Sequence, residues 1–550
     1  MSIIKSFTRR KRPLAGPRRA LATLLAAALL AAALLAAGAL AETSPEDTFA
    51  EEARQLLEET GNTQTASADL VVGYLASGAG DINPIYCNER DMISINQLVF
   101  ESVVELDDTQ KPVPLLADSW TVEGNVWTFH MRSGVQFHNG LECLAQDVVA
   151  SYEALRAAGD SNPYAGRLSL ISSMTAVDAY TLQVTANQTG MITLYAMTFP
   201  VMERSTLAEA LPRGTGPYWY ISYTPGVAVR LERNPLWWKQ APQIESVVGL
   251  CYFTTAEALE ALQTGEIDAF STRSYSAAFN RRLSSVVTTD YSTASYELLV
   301  PNLSSSSPLS DVRVRRAVMY AIDRATLVSN AYLEMAQQSE VPIVPGTWLY
   351  ESQSAVYTYS PERALQLLNE AGWTNLTGTA KLSRLGDDGL VEDLEIRIIT
   401  YTDSLSSVRT NAAEQIAANL NALGIQTTVL SGTIDQVSDA MDRGRFDLAL
   451  MGVNLSEVPN LRPLLSEEGS INLSGAYNAE MESLLDATFS AVTEEEMLQA
   501  YSALQMYIVE NLPIMGLVFR TGSVLSTRPL AGLSGTREND VYNGLEFVEN

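Results

Sequence analysis

Asp118-Ser119-Trp120-Thr121-Val122-Glu123, then Gly124-Asn125, then Val126-Trp127-Thr128-Phe129-His130-Met131-Arg132 is the stretch from which the fold is read. Two runs of period two around a Gly-containing pair predict a β-hairpin with a tight turn. In the second run Trp127, Phe129 and Met131 share one face, and Thr128, His130 and Arg132 the other. Asn139-Gly140 marks a further turn. Leu144, Val148, Tyr152 and Leu155 then recur at helical spacing, so the chain leaves the sheet as an amphipathic helix.

Working outward, the 550 residues exceed one core and imply several domains. Residues 1–41 hold no acid and seven bases, followed by an Ala/Leu-rich run ending Ala39-Leu40-Ala41. That is the pattern of an export signal, with an uncleaved membrane anchor as the alternative. No Cys stands near residue 41 to carry a lipid. The rest of the chain has 29 bases against 64 acids, a surface that repels nucleic acid. Cys87, Cys143 and Cys251 show no metal spacing and read as small buried hydrophobes.

Further along, Leu70–Tyr74 reads as a strand and Ile93–Glu101 as a helix. Gly214-Thr215-Gly216-Pro217-Tyr218 is a turn leading into paired strands around Thr224-Pro225-Gly226. No Lys-Ser/Thr follows those glycines, which excludes a phosphate loop. Asp311 is placed to cap a helix whose inward face is Val314, Val318, Ala321 and Ile322. From Leu394 the order is strand, helix (Arg409–Leu423), strand, helix, strand (Phe446–Gly452). Such an order predicts a parallel sheet, with ligands beyond the carboxyl ends of its strands. This points to Thr400–Asp403 and Gly452–Glu457.

The strings LADSWTVEGNVWTFHMRSGVQFHNG…AQDVVASYEAL, GTGPY…YTPG…LERNPLWW and DVRVRRA…AIDR resemble, in order, the landmarks of bacterial extracellular solute-binding proteins of family 5. The resemblance runs over residues 69–550. It implies an α/β, two-lobed periplasmic-binding-protein-like fold (class II) with an extra inserted domain. The implied layout is a signal peptide over 1–41, an acidic linker over 42–68, first-lobe segments over 69–104, 201–299 and 514–550, an inserted domain over 105–200 and a second lobe over 300–513. Hinge segments are expected near Val300–Asn302 and Asn511–Met515.

Functionally, the resemblance implies an exported monomer on the periplasmic or extracellular face of the cytoplasmic membrane. It would bind a small-molecule or oligopeptide ligand in the interlobe cleft for the permease subunits of an ABC importer. No cofactor, metal, nucleic-acid partner or catalysis is expected, and membrane contact only through an uncleaved N-terminus. A tethered sensor or chaperone-like binder and a secreted hydrolase are the alternatives. His130 and His138, the only histidines, sit in the scaffold motifs. The expected ligand-binding residues are Asn454, Ser456, Glu457, Asp403, Tyr401, Asn83 and Tyr86. Peptide-binding relatives place an Asp where Ser456 stands, and dipeptide-binding ones an Arg near Asp403. Those departures argue against free-ended dipeptides and for a cationic, blocked or hydroxyl-rich solute.

Overall fold

The computed structural model describes residues 69–77, 80–376, 378–386, 388–402, 407–533 and 537–548, all within one compact unit, Gln64–Asn550. The expected signal peptide, the acidic linker and Asp403 lie outside these residues. Among them, all three cysteines are buried and free.

The hairpin forms as its pattern predicts, from Ala117–Glu123 and Val126–Met131, with Glu123 opposite Val126 and Gly124 at φ 61°. Trp127 and Phe129 are almost wholly buried and Met131 nearly so. Burial of each contributes roughly 1.5–3 kcal/mol. Thr181–Ala186 and Ile171–Ala176 extend the hairpin into a separate four-stranded antiparallel sheet. The helix Ala145–Ala157 lies beside it and buries Val148, Tyr152 and Leu155.

The helix expected over Ile93–Glu101 spans only Arg90–Asn96. Its continuation is stopped by the glycine-rich turn. The Gly216 and Tyr218 N–H groups donate to the Val99 and Leu98 carbonyls at 3.0 Å each. A Cβ on Gly214 would stand 2.0 Å from the Val99 oxygen, and one on Gly216 2.7 Å from it. The glycines are there for this close backbone approach. His138 secures the same turn: its Nδ1 accepts from the Gly214 N–H at 3.3 Å, which leaves Nε2 to donate to the Gly216 carbonyl at 3.2 Å.

The large sheet has eleven strands. Its second-lobe end runs Gln426–Gly432, Glu395–Tyr401, Leu448–Asn454, the first three parallel as expected. Its first-lobe end holds Ala269–Thr272, Asp69–Leu75, Ser246–Tyr252, Ala228–Arg233 and Tyr218–Thr224. Two long antiparallel strands, Val287–Pro301 and Met515–Ser526, join the ends. The sequence pattern reveals only the apolar half of the first, Tyr296–Val300. Its polar half, Val287–Ser295, lacks alternation and is held by pairing with Met515–Ser526.

Along those strands Ser523–Ser526 pairs with Ala269–Thr272, and Val518–Arg520 with Ala336–Gln338. Register breaks fall between Ser292 and Tyr296 and between Glu297 and Leu298. Val300 keeps a regular ladder pairing with Ala449, while the pairing with Met515–Ser526 ends at Leu299. Both breaks lie within the strand, upstream of the hinge segment expected near Val300–Asn302.

Candidate functional site

Two adjoining cavities flank the crossing strands and share Thr293. One, of about 1100 Å³, takes Leu75, Arg90, Thr272 and Arg273 from the first-lobe side. Glu297, Tyr401, Arg409 and Asn454 line it from the second-lobe side, with Arg520 on the long strand Met515–Ser526. The other, of about 790 Å³, is more apolar and is lined by Trp348, Tyr195, Ile343, Phe519 and the segment Leu455–Leu461. This place lies past the carboxyl ends of Glu395–Tyr401 and Leu448–Asn454, where the parallel-sheet rule points.

Among the described residues, four arginines and a single carboxylate, Glu297, line the first cavity. Arg409 binds Glu297 in a bidentate fork, Nε to Oε2 at 2.9 Å and Nη2 to Oε1 at 2.8 Å, and its guanidinium lies 4.1 Å from the centre of the Tyr401 ring. Burial disfavours the Arg409 charge, but the Glu297 hydrogen bonds and charge outweigh it and hold the guanidinium protonated. Arg90 pairs with Asp91 at 2.6 Å, and Asp91 also accepts from the Leu75 N–H at 2.9 Å. Arg273 pairs with Glu538, whose other oxygen accepts from the Ala294 N–H at 2.6 Å. Arg520 stacks over the Tyr275 ring, 4.8 Å from its centre. Among the described residues no carboxylate lies within ion-pair distance of Arg520.

The expected site residues separate. Asn454 and Tyr401 line the arginine cavity, and Ser456 and Glu457 the apolar one. Asn454 accepts from the Ser295 hydroxyl at 2.8 Å, and Ser456 Oγ from the Val458 N–H at 3.1 Å. Glu457 is not open to a ligand cation. It is paired with Arg167, which also donates to Thr198, and accepts from Asn539 Nδ2 at 2.8 Å. Burial alone would raise the Glu457 carboxyl, but the Arg167 and Arg537 charges and the Asn539 amide hold it below its ordinary value.

Asn83 and Tyr86 line neither cavity. Asn83 is buried, its Nδ2 donating to the Leu207 and Glu209 carbonyls at 2.9 and 2.8 Å and its Oδ1 accepting from the Ile85 N–H. It clamps a loop. Tyr86 is exposed. The sequence reading missed Arg90, Arg273 and Arg520, which no spacing connects, and saw Arg409 only as a helix start.

Residues 111–466 match the sequence pattern of "Bacterial extracellular solute-binding proteins, family 5 Middle". The chain belongs to this family. Like the family, it is a substrate-binding protein of the ABC-importer type. Among curated relatives of this family 5 protein is heme-binding protein A of Haemophilus influenzae, 24% identical, covering 76% of this chain and 81% of the relative. The oligopeptide-binding protein AppA of Bacillus subtilis is 22% identical, covering 86% and 90%. Among solved structures, the unliganded open form of the periplasmic murein tripeptide-binding protein MppA superposes with a TM-score of 0.74 at 19% identity, covering 88% of this chain and 97% of that one. That likeness establishes the fold: two lobes, mixed α/β, with the four-stranded sheet as the extra domain.

Proposed function

We propose that this family 5 protein is exported, holds a small polar or peptide-like solute between its lobes, and hands it unchanged to the permease subunits of an ABC importer. The observation that carries the reading is the pair of cavities at the crossing strands, lined by side chains from both halves of the sheet. Lobe closure around a solute buries it on all sides, which is how a binding protein gains affinity and signals occupancy. The periplasmic names of several relatives and the basic, apolar N-terminus support export.

A hydrolytic reading finds little support in the cleft. Glu297, Glu538 and Glu457, the carboxylates that line the two cavities among the described residues, are each held by an arginine. A glycosidase needs two carboxyls facing a common bond, one of them protonated. Relatives are named for heme, oligopeptides and nickel, so the solute of this chain has to be read from its own cleft.

Deleting the gene should abolish uptake of the solute that co-purifies with the protein. Undiminished uptake in the deletion strain would instead favour a sensor or chaperone-like binder.

A further inference from the structure

We propose that the solute is an acid: it seats a carboxylate at Arg520, on the crossing strand between the lobes, extends an apolar body into the adjoining Trp348 cavity, and needs no free amine. The proposal rests on the solute-capture reading and names the substrate class.

The charge balance of the cleft is the first ground. The chain as a whole carries a net charge of −28, yet the described side chains around this cavity are four arginines and one carboxylate. Three of the arginines have fixed anionic partners: Asp91, Glu538 and Glu297. Arg520 has an aromatic ring beneath it and no described carboxylate. Burial first, and then the nearby Arg90 and Arg520 charges, pull the Arg273 guanidinium down to about 10. Like charges crowded in a water-poor cleft are relieved by an incoming anion, whose affinity gains accordingly.

The second ground is what surrounds Arg520. Thr293 Oγ1 donates to the Arg520 carbonyl at 2.7 Å, fixing the backbone that carries the guanidinium. The hydroxyls of Thr272 and Ser274 line the same cavity and can donate to a carboxylate there. Beyond Thr293 the cavity turns apolar. Trp348 is fixed there by its Nε1–H donating to the Tyr195 hydroxyl at 2.8 Å. An apolar or aromatic body fits this wall.

The third ground concerns the opposite charge. A free α-ammonium needs a carboxylate of its own, and among the described residues the three that line the cavities are already engaged by Arg409, Arg273 and Arg167. An N-blocked acid loses nothing in such a cleft.

Isothermal titration of the mature protein with N-acetyl-leucyl-phenylalanine, its C-terminal amide and unblocked leucyl-phenylalanine tests this. The acetylated acid should bind at least about tenfold tighter than the amide, and no more weakly than the unblocked dipeptide. Arg520→Gln should erase the acid-over-amide preference, Arg520→Lys should keep part of it, and both variants should melt as the parent does. Equal binding of acid and amide, tighter binding of the unblocked dipeptide, or no binding of any of the three would overturn the inference. So would a preference unchanged in Arg520→Gln. Native mass spectrometry of the same preparation separates the two readings: a co-purified neutral or cationic solute would overturn the acid while leaving solute capture standing.

Discussion

Glu297 and Arg409 face each other as a buried two-pronged pair, and Gly452 is the residue that makes room for it. A Cβ at Gly452 would lie 2.6 Å from Arg409 Nη2 and 2.9 Å from Glu297 Oε1. The pair ties the crossing strand Val287–Pro301 to the first turn of the helix Val408–Ala422, so it fixes the wall of the arginine cavity. Breaking one side leaves the other charge buried without its fork. Arg409→Ala is therefore expected to cost about 3–5 kcal/mol in chemical denaturation. The double variant Glu297→Leu/Arg409→Met should recover most of that loss. A cost below about 1 kcal/mol for Arg409→Ala would show the pair to be replaceable by water.

Gly452→Ala probes the same spot by adding volume instead of removing charge. One methyl must displace a fork locked in place by two hydrogen bonds. Thermal unfolding should show a loss of about 1–3 kcal/mol. The accompanying shift of Arg409 should also weaken solute binding. An unchanged melting point with unchanged affinity would mean that the fork moves aside freely.

The scaffold was legible in the sequence because its signals are local. The Trp127/Phe129/Met131 alternation, the Asp311 cap, whose carboxylate accepts from the Arg313 N–H at 2.8 Å, and the strand–helix repeat after Leu394 each lie within a short window. The cleft's chemistry was not legible, because it is assembled from distant places. Arg90, Arg273, Arg409 and Arg520 meet only because the strands Val287–Pro301 and Met515–Ser526 cross between the lobes. Glu457 illustrates the reverse error. Beside a substituted position it reads as a spare anion, but Arg167 reaches it from the short helix Ala165–Leu168, far away in sequence. Asn83 misleads in another way, since an Asn in a loop looks available until its amide is seen spanning two carbonyls.

His138 gives the fold a pH dependence with a definite sign. Burial, opposed by its bond to Gly216 and aided by the Arg213 charge, lowers its pKa to about 4, against about 6.5 when unfolded. A depressed folded value means the stability is complete above pH of about 6.5 and is lost as the pH falls toward 4. Denaturation curves for the parent and for His138→Gln should therefore converge across that window, with a swing of roughly 3 kcal/mol at most. A constant difference between them from pH 7 to pH 4 would mean His138 titrates normally in the folded protein.

Arg167 and Glu457 bridge the four-stranded-sheet domain to the segment following Leu448–Asn454, with Asn539 as a third partner. Removing the cation by Arg167→Ala frees one contact that holds the lobes together. The lobes are then expected to open about the strands that join them. Small-angle scattering without added solute should give a larger radius of gyration for the variant than for the parent, and solute affinity should fall by about tenfold. Equal radii and equal affinities would show that this bridge has no part in closure.

Native mass spectrometry of the protein purified from its own host tests solute capture most directly. The parent chain should carry one adduct of discrete mass per molecule. Ser295→Trp, which fills the arginine cavity from the crossing strand, should fold with the parent's circular dichroism and carry none. A bare chain mass in the parent, or the same adduct retained by Ser295→Trp, would contradict capture of a solute in this cleft.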